Sequence, residues 1–264
     1  MAHTEFDFAL ESEPIASALP FPLPLAHLTA KRWLLRILKA QRLEPRPCKI
    51  LLSNLLYFSY GGVFYRNSKI QTERVSELPV ALLFSPEILR KVSRFYPFDS
   101  GAMGRGLFGP EWTAKLAPFD ERFRVNASDG LRDATKLIHH LYDTNQNYLN
   151  GRAHAGSRSK MAPFPLLYDF LSANLSTLGV DHRQRTIEAI CEAEIEIAKN
   201  ILWIGFPAHR TASVLKALLP CVGLNIPPFR TYNFTKNFNP AEIAARLEEQ
   251  AYKDVVERFV QYPT

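Results

Sequence analysis

Residues 187–206, IEAICEAEIEIAKNILWIGF, gather carboxylates in a pattern that can do chemistry. Read with period two, Glu188, Glu192, Glu194 and Glu196 fall on one face of an extended strand, interrupted by Ile190. Ile187, Ala189, Cys191, Ala193, Ile195 and Ile197 fall on the other face. Like charges two residues apart on one face lie about 7 Å apart and repel. Such a face is tolerated where water bathes it or where a cationic ligand or basic side chains line it. As an acid and base for glycoside hydrolysis, Glu192 and Glu194 stand too close together to frame water attacking from the opposite side, and retention would need partners elsewhere.

Other chemical groupings are thinner. His139 and Asp143 are four residues apart on one helix face and could offer two metal ligands, with His140 and His154 nearby in sequence. A third ligand would have to come from a loop, so no metal is expected. There is no GxSxG elbow, and the glycine-rich stretch 97–112, PFDSGAMGRGLFGPEW, lacks the lysine and spacing of a P-loop and the GxGxxG of a dinucleotide fold. It reads as an irregular surface segment.

The elements that must position these groups can be placed coarsely. Ile187, Ile190, Cys191, Ile195 and Ala198 also fit helical spacing. The polar break Lys199-Asn200, the apolar run Ile201–Phe206 and Pro207 favour a strand over Glu192–Ile197, a turn, a second strand and a stop. Residues 1–24 show little periodicity and end in the proline-rich Leu19–Pro24, an extended lead-in. Thr29 can cap a helix whose buried stripe is Trp33, Leu34, Ile37 and Leu38. Residues 48–65 are aromatic-rich around Gly61-Gly62 and fit either a helical turn and strand or two short strands. Pro79–Phe84 reads as a buried strand, and Ser85-Pro86-Glu87 opens a helix to about Phe95.

Further on, Ser128-Asp129 caps a helix to about Leu149, and a loop with Arg152, His154, Arg158 and Lys160 follows. A helix spans about 165–175 and another about 213–219. Phe229–Phe234 is a short strand, and Asn239-Pro240-Ala241-Glu242 starts a last helix to about Val260. With no repeat and no break in composition, residues 25–264 read as a single α+β domain.

At 264 residues the chain can bury a sizeable core, and its 47% hydrophobic and 22% charged residues are ordinary for a soluble globular protein. No apolar run reaches the roughly 18 residues of a membrane span, and the acidic N-terminus is no export signal. Cys48, Cys191 and Cys221 are widely spaced, odd in number and set among apolar residues. They read as buried free thiols of a reducing, cytoplasmic compartment. The net charge of +6 permits a polyanionic partner without requiring one. Much of the excess sits in Lys31, Arg32, Arg36, Lys39, Arg42, Arg46 and Lys49, opposed within 31–49 by Glu44 alone.

Three short motifs in order carry a resemblance: His27-Leu28-Thr29 before a helix, a tyrosine-rich segment about thirty residues on, and Ala193-Glu194-Ile195 near the far end. The set resembles the His-Tyr-Glu arrangement of the ADP-ribosyltransferase superfamily, and within it bacterial toxin and phage-defence members, over roughly residues 25–235. The resemblance implies split, mostly antiparallel β-sheets around a cleft for NAD, with several packed helices. His27 would bond the adenosine ribose with Thr29 in support. A tyrosine, Tyr57 or Tyr60 rather than Tyr65, would stack on nicotinamide. Glu194 would take the catalytic role beside the nicotinamide ribose, Glu192 would address the acceptor, and Glu188 and Glu196 compete for these assignments. Arg66 or Arg105 would meet the pyrophosphate.

The residue types suit that chemistry, because breaking the bond to nicotinamide leaves positive charge on the ribose that a fixed carboxylate stabilises only in the transition state. The expected activity is transfer of ADP-ribose from NAD to a nucleic-acid or protein acceptor, with a neutralising antitoxin as partner and no membrane association. The competing reading is a nucleic-acid or protein-binding module without catalysis, which the basic helix and the loop at 152–160 would serve.

Overall fold

The computed structural model describes residues 3–12, 19–64, 75–154, 164–173, 182–222, 225–234 and 240–261. Tyr65, Arg66, Arg158, Lys160 and Asn239 lie outside these residues.

In chain order the strands are β1 Leu25–Ala30, β2 Arg42–Leu43, β3 Arg46–Pro47, β4 Asn54–Tyr60, β5 Pro79–Phe84 and β6 Val92–Tyr96. They continue with β7 Val125–Asn126, β8 Glu188–Cys191, β9 Ile195–Glu196, β10 Ile201–Pro207 and β11 Phe229–Tyr232. The main sheet runs β11-β10-β5-β1-β4-β8-β6-β7, with β3 added to β4, while β2 and β9 form a separate ribbon. Every pairing is antiparallel except β10 with β11. With helices packed on it, the molecule is α+β with a mixed, mostly antiparallel sheet. Among the described residues no helix is long and apolar enough to cross a membrane.

PVALLF forms β5 because a continuous apolar run suits a strand covered on both faces. Its alternation delivers Val80, Leu82 and Phe84 to one apolar cluster and Ala81 and Leu83 to another. The first cluster takes in Leu34, Ile37 and Leu38 of helix Lys31–Ala40, with Ile138 of helix Gly130–Tyr142 and Leu218 of helix Thr211–Val222. The second is closed by Ile243, Leu247 and Ala251 of helix Pro240–Ala251.

The sheet is interrupted at one place. β1 pairs with β4 only at Leu25↔Tyr60 and Ala26↔Ser59. β1 then stays on β5 as far as Ala30↔Pro79, and β4 stays on β8 as far as Leu56↔Cys191. Beyond Ala26 and Ser59 the two strands therefore part, and a gap opens in the middle of the sheet.

Several sequence expectations need correction. β8 ends at Cys191, a turn follows, and β9 has only two residues, so no strand runs through Glu192–Ile197. Thr29 belongs to β1, and helix Lys31–Ala40 starts after Ala30 with no side-chain cap. Ser85 does cap, its Oγ accepting the Glu87 amide at 3.2 Å, but only a 3-10 stretch to Lys91 follows before Val92–Tyr96 enters the sheet. The β-branched and aromatic residues of VSRFY explain that outcome. The stretch 97–112 contains helix Ser100–Met103 and the start of helix Pro110–Leu116.

The helix from Gly130 stops at Tyr142, because Asp143 takes φ 72°, and restarts at Asn145 under a Thr144 cap. The last helix is interrupted by a π turn at Tyr252–Val256. The start of the chain is not all extended: Glu5–Ser12 is a helix that buries Phe6, Ala9 and Leu10. The Asp7 carboxylate fixes it by accepting the amides of Thr4 at 3.1 Å and Asn126 at 2.8 Å.

Candidate active site

The gap between β1 and β4 is the mouth of a cavity of about 790 Å³. That is inside the range of roughly 300–1,000 Å³ usual for small-molecule sites. His27 and Thr29 enter from β1, Tyr57 from β4 and Glu188 from β8. Arg46, Cys48 and Lys49 come from β3 and the turn after it, and Asp99, Gly101 and Arg105 from the segment around helix Ser100–Met103.

Glu188 is the deepest of these groups chemically. It lies on the interior strand β8 opposite Ser59 of β4 and Tyr96 of β6, and is 1% exposed. A carboxylate taken so far from water must be hydrogen-bonded. Ser100 provides two such bonds to the same oxygen, Oε2, from its amide at 3.1 Å and its hydroxyl at 2.5 Å.

Tyr57 and Cys48 form a second unit. The Tyr57 hydroxyl donates to Cys48 Sγ at 2.7 Å, and the same sulfur accepts the amides of Ile50 and Leu51 at 3.4 Å each. Burial, the bond to Cys48 and the nearby charge of Glu188 all push the Tyr57 phenol well above its ordinary value, so it stays a neutral donor. Across the gap, the His27 ring contacts the Tyr57 main chain: Nδ1 lies 2.9 Å from its carbonyl oxygen. A carbonyl only accepts, so the hydrogen sits on Nδ1.

The cations are held individually. The Arg46 guanidinium lies 4.1 Å from the centre of the Trp33 ring, which also lines the cavity, and Arg105 Nε donates to the Gly101 carbonyl at 2.8 Å. Asp99 is 2% exposed and caps helix Ser100–Met103 through the Ala102 amide at 2.7 Å.

The sequence-predicted residues thus divide. His27, Thr29 and Tyr57 line one cavity, and Arg105 joins them. Tyr60 does not: three residues beyond Tyr57, it points to the other side of the strand. There its hydroxyl accepts the Leu23 amide at 2.9 Å and its ring stacks on Tyr148 at 6.3 Å. Glu192 and Glu194 lie outside the cavity, half-exposed, paired with Arg94 at 2.9 Å and Arg42 at 3.4 Å. The period-two alternation of the four glutamates breaks at the turn after Cys191, and of the four only Glu188 lines the cavity. Arg66 and Tyr65 fall outside the described residues. Sequence reasoning missed Ser100, Asp99, Cys48 and Arg46; the Asp99-Ser100 cap before a short helical turn was the one local signal for the first two. Among the described residues no three His, Cys, Asp or Glu side chains gather as a metal site.

No family model matches the sequence, and no curated protein matches it. Among solved structures, the chain is similar to Thermus sp. 2.9 DarT in complex with ADP-ribosylated ssDNA, with 13% identity and a TM-score of 0.43 over 83% of this chain and 98% of that one.

Proposed function

We propose that this chain is a NAD-dependent ADP-ribosyltransferase that moves ADP-ribose to a macromolecule, DNA, RNA or protein, and releases nicotinamide. The observation that carries the reading is the buried, doubly hydrogen-bonded Glu188 carboxylate in the same cavity as His27 and Tyr57. The donor set also fits a dinucleotide. Arg46, Lys49 and Arg105 are suited to a pyrophosphate, His27 and Thr29 to ribose hydroxyls, and Tyr57 to a flat electron-poor ring.

Bound NAD would supply the bond to be broken, between its ribose and a nicotinamide that departs as a neutral ring. Glu188 accepts a hydrogen bond from the sugar's 2′-hydroxyl and opposes the positive charge that grows on the ribose as that bond lengthens. Tyr57 packs its ring on the nicotinamide, its hydroxyl anchored to Cys48 so that the ring keeps its orientation. His27, its Nδ1 hydrogen committed to the Tyr57 carbonyl, turns the rest of its ring toward the adenosine ribose, with Thr29 beside it along the same strand face. Glu188, rather than Glu192 or Glu194, takes the catalytic role in this reading.

A binding module without catalysis would account for the exposed Arg32, Arg36 and Lys39 of helix Lys31–Ala40. It gives no reason for a carboxylate fixed at 1% exposure in the wall of a large cavity. The test is nicotinamide release from NAD in the presence of separate DNA, RNA and protein pools. Glu188→Gln should lower release by about 10²-fold or more while the protein stays folded. Full turnover by the folded variant would overturn the assignment.

A further inference from the structure

We infer that Ser100 is the positioning residue that keeps the Glu188 carboxylate ionised and aimed at the sugar. The inference rests on the transferase reading of the cavity.

Burial alone disfavours a charged carboxylate. Hydrogen bonds donated to the charged form work the other way. Ser100 donates two, from amide and hydroxyl, to the one oxygen Oε2, and is itself 0% exposed. Its amide can do so because Ser100 is the first residue of helix Ser100–Met103, where backbone N–H groups have no partner within the helix. Asp99 completes the arrangement. Its side chain takes the Ala102 amide, and its own amide donates to the Arg183 carbonyl at 2.9 Å. The clamp and the glutamate are therefore tied to one stretch of chain, since Arg183 lies just ahead of β8. With Oε2 held, the carboxyl plane cannot swing about its last bond.

The experiment compares wild type, Glu188→Gln, Ser100→Ala and Ser100→Cys for nicotinamide release across pH, with thermal unfolding of each. Ser100→Ala keeps the amide bond and loses the hydroxyl, so kcat should fall about tenfold with KM for NAD within about twofold. The acid limb of the kcat profile, where Glu188 must lose its proton, should move to higher pH. Ser100→Cys, a weaker donor of similar size, should fall between. An unmoved acid limb in folded Ser100→Ala, or in Ser100→Cys should Ser100→Ala not fold, would overturn the inference, as would losses that track only the melting temperature. Absence of turnover in wild type, or full turnover in Glu188→Gln, would instead overturn the transferase reading beneath it.

Discussion

His27 Nδ1 lies 2.9 Å from the main-chain oxygen of Tyr57, across the point where β1 and β4 separate. This bond joins the two lips of the cavity just beyond the last shared rung of the sheet. It also fixes the imidazole through a group that substitution at Tyr57 leaves in place. His27→Ala should therefore weaken binding more than chemistry. KM for NAD is expected to rise about tenfold with kcat reduced less, measured by steady-state nicotinamide release. A loss confined to kcat would remove His27 from the binding role.

Tyr57 separates ring from hydroxyl. Tyr57→Phe keeps the flat face and loses only the bond to Cys48, so KM should change by about threefold or less, whereas Tyr57→Ala should raise it by about tenfold or more. Equal effects of the two variants would assign the role to the hydroxyl instead.

Glu192→Gln and Glu194→Gln serve as paired controls. Both side chains are half-exposed; the Glu194–Arg42 pair lies on the surface, where such pairs contribute about 0–1 kcal/mol, while Glu192 meets the largely buried Arg94. Nicotinamide release by each variant should stay within about threefold of wild type. A collapse in Glu194→Gln with Glu188→Gln active would return the catalytic role to the turn.

The thiols should differ sharply in reactivity. Cys191 is 0% exposed and burial pushes its thiol up to about 12, so at pH 8 it remains protonated and unreachable. Cys48 is half-buried and borders the cavity. Iodoacetamide at pH 8 should label the peptide holding Cys48 and spare the one holding Cys191, read by mass spectrometry, and nicotinamide release should fall as Cys48 is labelled. NAD added beforehand should slow both.

The N-terminal helix gives a stability test. Phe6 is 0% exposed and packs edge-on against Phe164 at 5.2 Å and Phe123 at 6.4 Å. Phe6→Ala should cost about 3–5 kcal/mol by urea unfolding. A cost under about 1 kcal/mol would mean that the helix is a loosely held appendage.

Much of the frame was legible in the sequence because it is local. Pro79–Phe84 and Ile201–Pro207 announce themselves as apolar runs bounded by turns and prolines, and both are strands of the main sheet. His27 and Tyr57 could be picked out by type and order. The choice among four glutamates could not be made that way. Which one faces the cavity depends on where β8 stops and on its register against Ser59 and Tyr96, residues far off in the chain. The N-terminal helix escaped for a related reason: eight residues are too few to be stable alone, and its partners Asn126 and Phe164 are supplied by the folded core.

The brevity of the contact between β1 and β4 has a mechanical meaning. The seam between the halves of the sheet is held by two rungs and the His27–Tyr57 bond, and a molecule gripping His27 on one side and Tyr57 on the other would act as a removable cross-brace over it.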